Sequence, residues 1–443
     1  METIIAVGGT GQTLLFHYFR LYLAGIVEEP FRALVVDTDE MHSGLQSMKS
    51  LLDDLQHGDE STDALGETIP SLTFARFDQP STDDVEEMLT GSSGGDNGEY
   101  RPVDAFFSAD LLGQPLQKGL FARPALSSVV AHQLPRPEKF VPQPGSPTVV
   151  VIGSIVGGTG GGLIAPILDS VRENAEGGMP VRLKAVLYGE YFQVDPGQIS
   201  GGRERLQSNQ TLALRTLESS YATLHRFSII GGPTSRRIER NPEAESRSRG
   251  LSFPAESHPH WEGIRALHFL RHDTVADAKA NQPFQSREVD DETINVSFQR
   301  GRADYRFAEA CAVVDALVGN NVVKRMENEA WLSNICGTRL PKLIVHFWEM
   351  ARDVLGPDGA RSFPDRLNDA LRDRWRGSDG LREYLPHPPQ QAQAVLPSTI
   401  AQLDWPSPEG ESINRDLFQS AEDPHRRAAA TLLFAALRNS PTD

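Results

Sequence analysis

Over residues 1–275 the apolar positions fall into two regimes: short unbroken runs of strand length, and longer stretches in which apolar residues recur at helical spacing. The runs at 3–7 (TIIAV), 33–36 (ALVV), 149–152 (VVVI), 181–188 and 227–230 predict strands. Val149, Val150, Val151 and Ile152 are all β-branched with no polar interruption, the pattern of a parallel strand covered on both faces. Between the runs, Leu14, Leu15, Tyr18, Phe19 and Tyr22, then Leu163, Ile164, Ile167, Leu168 and Val171, repeat as helix faces. A further helix is expected from Glu204 to His225, with Leu206, Leu212, Leu214, Leu217 and Leu224 as its buried stripe. Trp261 to His272, behind the start signal Pro259, carries Ile264, Leu267, Phe269 and Leu270 and predicts a buried helix. Strands alternating with helices in this way specify an α/β fold on a parallel sheet.

The remaining stretches are less regular. Residues 44–100 are acidic and weakly patterned, with a short strand expected at 72–74; 104–133 return to helical spacing. Residues 233–257 mix Arg, Glu, Ser and Pro as a solvated loop does, 303–335 and 343–354 read as helices, and prolines accumulate over 377–409. An amphipathic helix is expected at 425–438, able to dock on the chain itself or on a partner. The expected organisation is an α/β domain at 1–250, a helix with its following loop at 251–280, a smaller C-terminal domain at 281–376, and a Pro-rich arm with a terminal helix at 377–443.

The chemistry concentrates where two strands turn into helices. After Val149–Ile152 come Gly157, Gly158, Thr159, Gly160, Gly161 and Gly162; after TIIAV come Gly8, Gly9, Thr10, Gly11 and Gln12. Glycines remove the Cβ atoms that keep backbone N–H groups away from an anion, and each junction opens a helix whose N-terminus carries about half a positive charge. A phosphate cradle is one reading; tight strand–helix packing is the other. Neither stretch is the GxxxxGK[ST] phosphate loop, since no Lys follows, and neither has GxGxxG spacing. Between them, Asp37, Thr38 and Asp39 end the second strand, where ligands of α/β sheets bind. A carboxylate there suits a ribose hydroxyl or a metal-bound water, and suits a turn and helix cap equally. Arg123 is either a phosphate contact or a surface residue. His268 and His272 stand four apart without an accompanying carboxylate, so capping or surface roles fit them better than a metal.

Composition narrows the partners. Sixty acidic residues against 43 basic give a formal charge of −17, which disfavours nonspecific nucleic-acid or anionic-membrane binding. The two cysteines form no CxxC, so neither a disulfide framework nor a zinc knuckle is expected, and a reducing cytoplasm is the expected setting. No window reaches the length of a membrane span, and the start METIIAVGGTG lacks a basic region followed by a long apolar one. HExxH, EF-hand and kinase motifs are missing.

Two glycine-rich turns with a strand-end acidic pair between them resemble the tubulin/FtsZ superfamily. Its GGGTGSG signature is matched by Val156-Gly157-Gly158-Thr159-Gly160-Gly161-Gly162, with Val156 in place of the first glycine and Gly161 in place of the serine. The first turn, Val7-Gly8-Gly9-Thr10-Gly11, is similar to that of divergent bacterial tubulin-like proteins. The resemblance implies a parallel-sheet tubulin/FtsZ-like nucleotide-binding domain, a central helix, and a smaller C-terminal domain with extra helices. It implies GTP or GDP as ligand, with Mg²⁺ bridging the phosphates. Gly8, Gly9, Thr10, Gly11 and Gln12 would contact the α- and β-phosphates, Gly157 to Gly162 (including Gly158, Thr159, Gly160 and Gly161) would clamp them from the other side, and Asp37, Thr38 and Asp39 would lie near the ribose and γ-phosphate. Asn209 would match an asparagine that hydrogen-bonds guanine, and the helix from about Pro259 the central helix, bringing His260, Trp261 and Glu262 to the base. In the family, a neighbouring subunit completes the hydrolytic site with acidic residues from the loop after that helix; Asp273 and Asp277 stand there at altered spacing, as catalytic acids or as residues flanking a helix end.

The resemblance therefore implies a guanine-nucleotide-binding protein that self-assembles head to tail, with a GTPase site completed by the next subunit. A nucleotide-dependent regulatory or scaffold protein without efficient hydrolysis, acting through a partner at the C-terminal arm, is the alternative. A dinucleotide oxidoreductase ranks lower, because its first turn would need a third glycine and it leaves the second cluster unused.

Overall fold

The computed structural model describes residues 2–23, 27, 29–37, 43–56, 72–75, 148–175, 181–190, 202–220, 224–231, 258–272 and 339–355, and the single positions 112, 124, 126, 127 and 311. The elements are β1 (Glu2–Val7), α1 (Gly8–Leu23), β2 (Phe31–Val36), α2 (Ser43–Gln56), β3 (Leu72–Ala75) and β4 (Thr148–Ser154). They are followed by α3 (Gly158–Ala175), β5 (Arg182–Tyr188), α4 (Gly202–Ser220), β6 (Arg226–Ile230), α5 (His258–His272) and α6 (Arg339–Leu355). Expectations for Arg123, for the loop at 233–257, for most of 44–100, 104–133 and 303–335, and for everything beyond 355 fall outside the described residues.

The strands form one six-stranded sheet in the order β3-β2-β1-β4-β5-β6, a Rossmann-like arrangement. Every neighbouring pair is parallel. The expected α/β class and parallel sheet are therefore present, and the short strand expected near residue 72 pairs with β2. The β4 run accounts for its central place: all seven of its residues are buried, because helices cover both faces.

On one face Ile5, Val7, Leu34, Val36, Val149 and Val151 pack with Leu163, Ile167, Leu168 and Val171 of α3 and with Leu206, Ala213 and Leu217 of α4. The alternate residues Ile4, Ala6, Ala33, Val35, Val150 and Ile152 are also buried, and period-two geometry points them to the opposite face. There α1, α2, α5 and α6 gather, with α6 packed against α1 and α5.

The stripe of α4 departs from the expected one. Leu212 is 50% exposed, and the buried positions are Leu206, Asn209, Ala213 and Leu217. These follow the i, i+3, i+7 spacing of one helix face, whereas Leu212 lies well off that line. The helix also ends at Ser220, short of His225. His225 instead leads into β6, its N–H donating to Leu183 O at 2.8 Å and its Nδ1 accepting from Leu183 N–H at 3.1 Å.

Helix α5 is held at both ends of the sheet. At its start, Gly263 takes the Tyr188 hydroxyl at the end of β5 so closely that a Cβ would collide with it. At its finish, Arg271 donates to Glu2 Oε2 at 2.6 Å, to the Tyr18 hydroxyl at 2.9 Å and to Glu29 O at 3.1 Å. The Arg271 guanidinium also lies over the Phe31 ring, 5.1 Å from its centroid. Burial pushes the Tyr18 phenol up to about 12, with Arg271 pulling the other way. Lys184 Nζ donates to Leu270 O at 2.5 Å, a cation on a helix C-terminal carbonyl. Since Glu2 and Phe31 begin their strands and Tyr188 ends its own, α5 runs antiparallel to the sheet and opens at the carboxyl edge.

Candidate functional site

At the carboxyl edge β1 and β4 lie side by side, Val7 beside Gly153, and from them the chain proceeds in opposite directions across the sheet. That reversal is the crevice where open α/β sheets bind ligands. Both strands pass almost directly into glycine-rich helix starts. Helix α1 begins at Gly8, the residue after β1, with φ of 70°. A Cβ on Gly8 would stand 3.2 Å from Thr159 Cβ and 3.3 Å from Gly160 N. The two glycine stretches, some 150 residues apart in the chain, thus meet backbone to backbone. A Cβ on Gly160 would collide with Ser154 O, and one on Gly11 would come within 2.6 Å of Ile152 O. Tight packing and a phosphate cradle, posed as rival readings of these glycines, are compatible: close packing is what sets two helix N-termini side by side.

Neither helix has an acidic residue in its first turn. Each presents up to four N–H groups without an intrahelical acceptor and about half a positive charge. Gly9, Thr10, Asp37, Gly157 and Gly161 reach solvent in part, while Gly8, Gly11, Gln12, Gly158, Thr159, Gly160 and Gly162 are buried.

Asp37, just after β2, ties the two stretches together. Its Oδ2 accepts from Gln12 Nε2 at 2.5 Å and its Oδ1 from the Thr159 hydroxyl at 3.0 Å. Gln12 is fully buried, and among the described residues its Oε1 accepts no hydrogen bond. Thr13 Oγ1 donates to Gly9 O at 3.0 Å. Thr38 and Asp39 lie outside the described residues, as do Asp273 and Asp277.

The bend at 155–157 is fixed from several sides. Ile155 N donates to Tyr188 O at 2.9 Å and Val156 N to Ser154 Oγ at 3.3 Å. Asn209 Nδ2, from α4, donates to Val156 O at 3.2 Å, so this asparagine touches the second glycine stretch directly. Beside it, Gln210 Oε1 accepts from Glu190 N at 2.7 Å and Gln207 Nε2 donates to Glu190 Oε2 at 3.4 Å.

Two contacts escape sequence reasoning. Ser127 Oγ donates to Gly158 O at 2.6 Å, and Pro124 Cβ lies 3.2 Å from where a Gly161 Cβ would be. They come from the stretch before β4, where helical spacing and the candidate Arg123 were the sequence signals and neither Pro124 nor Ser127 was singled out. The start of α5 contributes a buried aromatic group: the His17 and His260 rings stand 5.5 Å apart, and His260 and Tyr188 6.1 Å. Burial lowers His260 to about 4, and burial with its neighbours His260 and Arg20 lowers His17 well below the usual histidine range. Trp261 is buried beside them, and Glu262 is half-buried and paired with Arg265 Nη1 at 3.1 Å.

Among the described residues no helix is long and apolar enough to cross a membrane, and no group of three or more His, Cys, Asp or Glu gathers as a metal cluster. Compared with known proteins, the chain matches no family model and no curated protein.

Proposed function

We propose that the chain binds a guanine nucleotide across the carboxyl edge of the sheet, in the manner of the tubulin/FtsZ superfamily, and that the bound subunits associate head to tail. The observation that carries this reading is the meeting of Gly8 with Thr159 and Gly160 at the β1/β4 reversal, which gives a polyphosphate two helix N-termini at one place. The Gly8–Gln12 turn takes one side of the phosphates and the Gly157–Gly162 turn the other. Asn209, held against Val156 O, stands on the base side of the second turn, with the start of α5 and Glu262 as the further candidates there.

Mg²⁺ fits the oxygen donors at the seam: the Asp37 carboxylate, the Thr159 hydroxyl and the Gln12 Oε1 acceptor are hard ligands of the kind that accompany substrate phosphates. When bound, the ion supplies charge neutralisation of the phosphates. The protein's share is positioning, the larger part of what phosphoryl transfer asks of an enzyme. In the head-to-tail arrangement Asp273 and Asp277 of one subunit orient water at the nucleotide of the next. Such a heterologous contact, when it does not close, extends into a filament.

A second reading keeps the nucleotide and drops efficient turnover, leaving a scaffold switched by its ligand. It is favoured by Val156 and Gly161 in the glycine signature and by the altered spacing of Asp273 and Asp277. One preparation separates the readings. Denaturing the purified chain is expected to release GDP or GTP, and release of NAD(P) would overturn guanine binding. Phosphate release per subunit is expected to rise with protein concentration and to fall at least about tenfold in an Asp273→Ala, Asp277→Ala double variant, the scale on which one positioned group acts. Turnover that is unchanged and independent of concentration would contradict the shared site, and bound nucleotide with neither turnover nor light scattering would favour the scaffold.

A further inference from the structure

The second glycine stretch is gripped from outside by its carbonyl oxygens. Asn209 Nδ2 donates to Val156 O at 3.2 Å, and Ser127 Oγ donates to Gly158 O at 2.6 Å. Ser127 is fully buried and Asn209 is 7% exposed, so both bonds are shielded from competing water. The two side chains approach from the same side. Leu126 beside Ser127, and Leu206 and Ala213 on the Asn209 face of α4, belong to the core packed against α3, whereas α1 gathers with α2, α5 and α6 on the opposite face. A trans peptide sends its C=O and its N–H in opposite directions, and the described peptide bonds are all trans. Holding Val156 O therefore aims the N–H of Gly157 away from α4, and holding Gly158 O aims the N–H of Thr159 away from Ser127. Both point toward the side on which the first stretch arrives, where a Cβ on Gly8 would stand 3.3 Å from Gly160 N. Gly157 and Gly158 adjoin these two peptide planes, and without a Cβ they let a plane turn over at little steric cost. The two hydrogen bonds supply the orientation that the glycines leave open.

We infer that Asn209 and Ser127 are positioning residues for the phosphate-binding donors of the second turn: each locks one peptide plane through its carbonyl, and Asn209 serves the phosphates through Val156 and not the base. The inference rests on the nucleotide reading above for its ligand and removes Asn209 from that reading's base-side candidates. The small exposure of Asn209 agrees with this, since it leaves little surface for a base edge. Its neighbours Gln207 and Gln210 are likewise engaged with the protein, at Glu190.

The test is calorimetric titration of the full chain with GDP and, separately, with inorganic pyrophosphate, Mg²⁺ being present throughout, in the wild type, Asn209→Ala, Ser127→Ala and Ser127→Thr. Pyrophosphate has no base, so it reports on the turn alone. Each alanine variant is expected to lose at least about fivefold in affinity for both ligands, by the same factor within about twofold, the scale of one hydrogen bond. Ser127→Thr keeps the hydroxyl and is expected to bind within about twofold of wild type. Thermal melting reports folding, and Ser127→Ala, which removes a single oxygen, carries the test should Asn209→Ala fold poorly. A folded Ser127→Ala that binds pyrophosphate as tightly as wild type overturns the inference, because a bond that only adds stability leaves the affinity of the folded protein unchanged. Asn209→Ala that loses GDP while keeping pyrophosphate also overturns it and returns this residue to the base. Pyrophosphate separates these results from the fate of the nucleotide reading. Weakened pyrophosphate binding in the variants of a chain that refuses GDP supports the inference and removes guanine as the ligand, whereas GDP bound equally by all four proteins does the reverse. Refusal of both ligands by the wild type overturns both.

Discussion

The two ends of the same sheet are built on opposite plans. At the amino edge, Arg271 is buried and saturated: Glu2, Tyr18, Glu29 O and the Phe31 ring surround one guanidinium, and the adjoining Lys184 satisfies Leu270 O. At the carboxyl edge, side chains are withdrawn, two glycine-rich helix starts meet backbone to backbone, and a buried glutamine oxygen accepts nothing among the described residues. A saturated charge cluster fixes α5 in place; an unsaturated edge leaves donors and acceptors for something else. With the proposed binding at the carboxyl edge, stability and binding fall at different ends of the strands, and each can be perturbed while the other is read out.

Arg271→Ala breaks the comparison most severely. Removing the cation from a buried, hydrogen-bonded cluster strands the Glu2 carboxylate, and a loss of about 3–5 kcal/mol is expected in urea unfolding. Nucleotide affinity of the folded fraction should stay within about twofold; a loss of binding comparable to the loss of stability would erase the division between the edges. Gly8→Val is the converse. With φ at 70° and Thr159 Cβ at 3.2 Å, a branched side chain strains the turn by about 1–3 kcal/mol while pushing the two helix starts apart. Ligand affinity is expected to fall by at least about thirtyfold, roughly 2 kcal/mol, and a variant that binds normally would show that the turns do not act jointly.

A smaller effect concerns the start of α5. His17 and His260 both have depressed folded-state values, so the unfolded chain binds the extra protons. Their contribution to stability is complete above the unfolded value near 6.5 and is lost as pH falls below it, for His260 between there and about 4 and by up to roughly 3 kcal/mol. His260→Phe should flatten that part of the urea stability profile relative to wild type. An identical slope in the two proteins would mean that the histidine is not buried neutral against Tyr188 and His17.

Much of this architecture is legible in the residue order, for reasons that are local. An uninterrupted β-branched run such as 149–152 has few solutions other than a doubly covered strand, and glycines between a strand and a helix mark the junction by chemistry alone. Asp37, just after β2, could be singled out as a candidate from its place at the end of a strand, with a ligand contact and a turn or helix cap as equal readings. What stays hidden is pairwise and distant. Nothing in the order of residues says that Asp37 bridges Gln12 and Thr159, that Ser127 holds Gly158 O, or that Arg271 closes on Glu2 at the other end of the domain. Of the leucines expected as the α4 stripe, Leu206 and Leu217 are buried and Leu214 and Leu224 pack against the core, whereas Leu212 lies outside and Asn209 and Ala213 take buried places that counting leucines does not reveal. Asn209 spends its Nδ2 on the second glycine stretch, a use of a polar residue on a buried face that hydropathy cannot anticipate.

The central claim is that two glycine-rich turns form a single cradle, and amide chemical shifts test it most directly. Titrating isotopically labelled protein with GDP and Mg²⁺, the N–H resonances of Gly8, Gly9, Gly11, Gly157, Gly158 and Gly160 are expected to move together and to fit one dissociation constant. Movement of one turn with the other unchanged, or two distinct constants, would contradict the account.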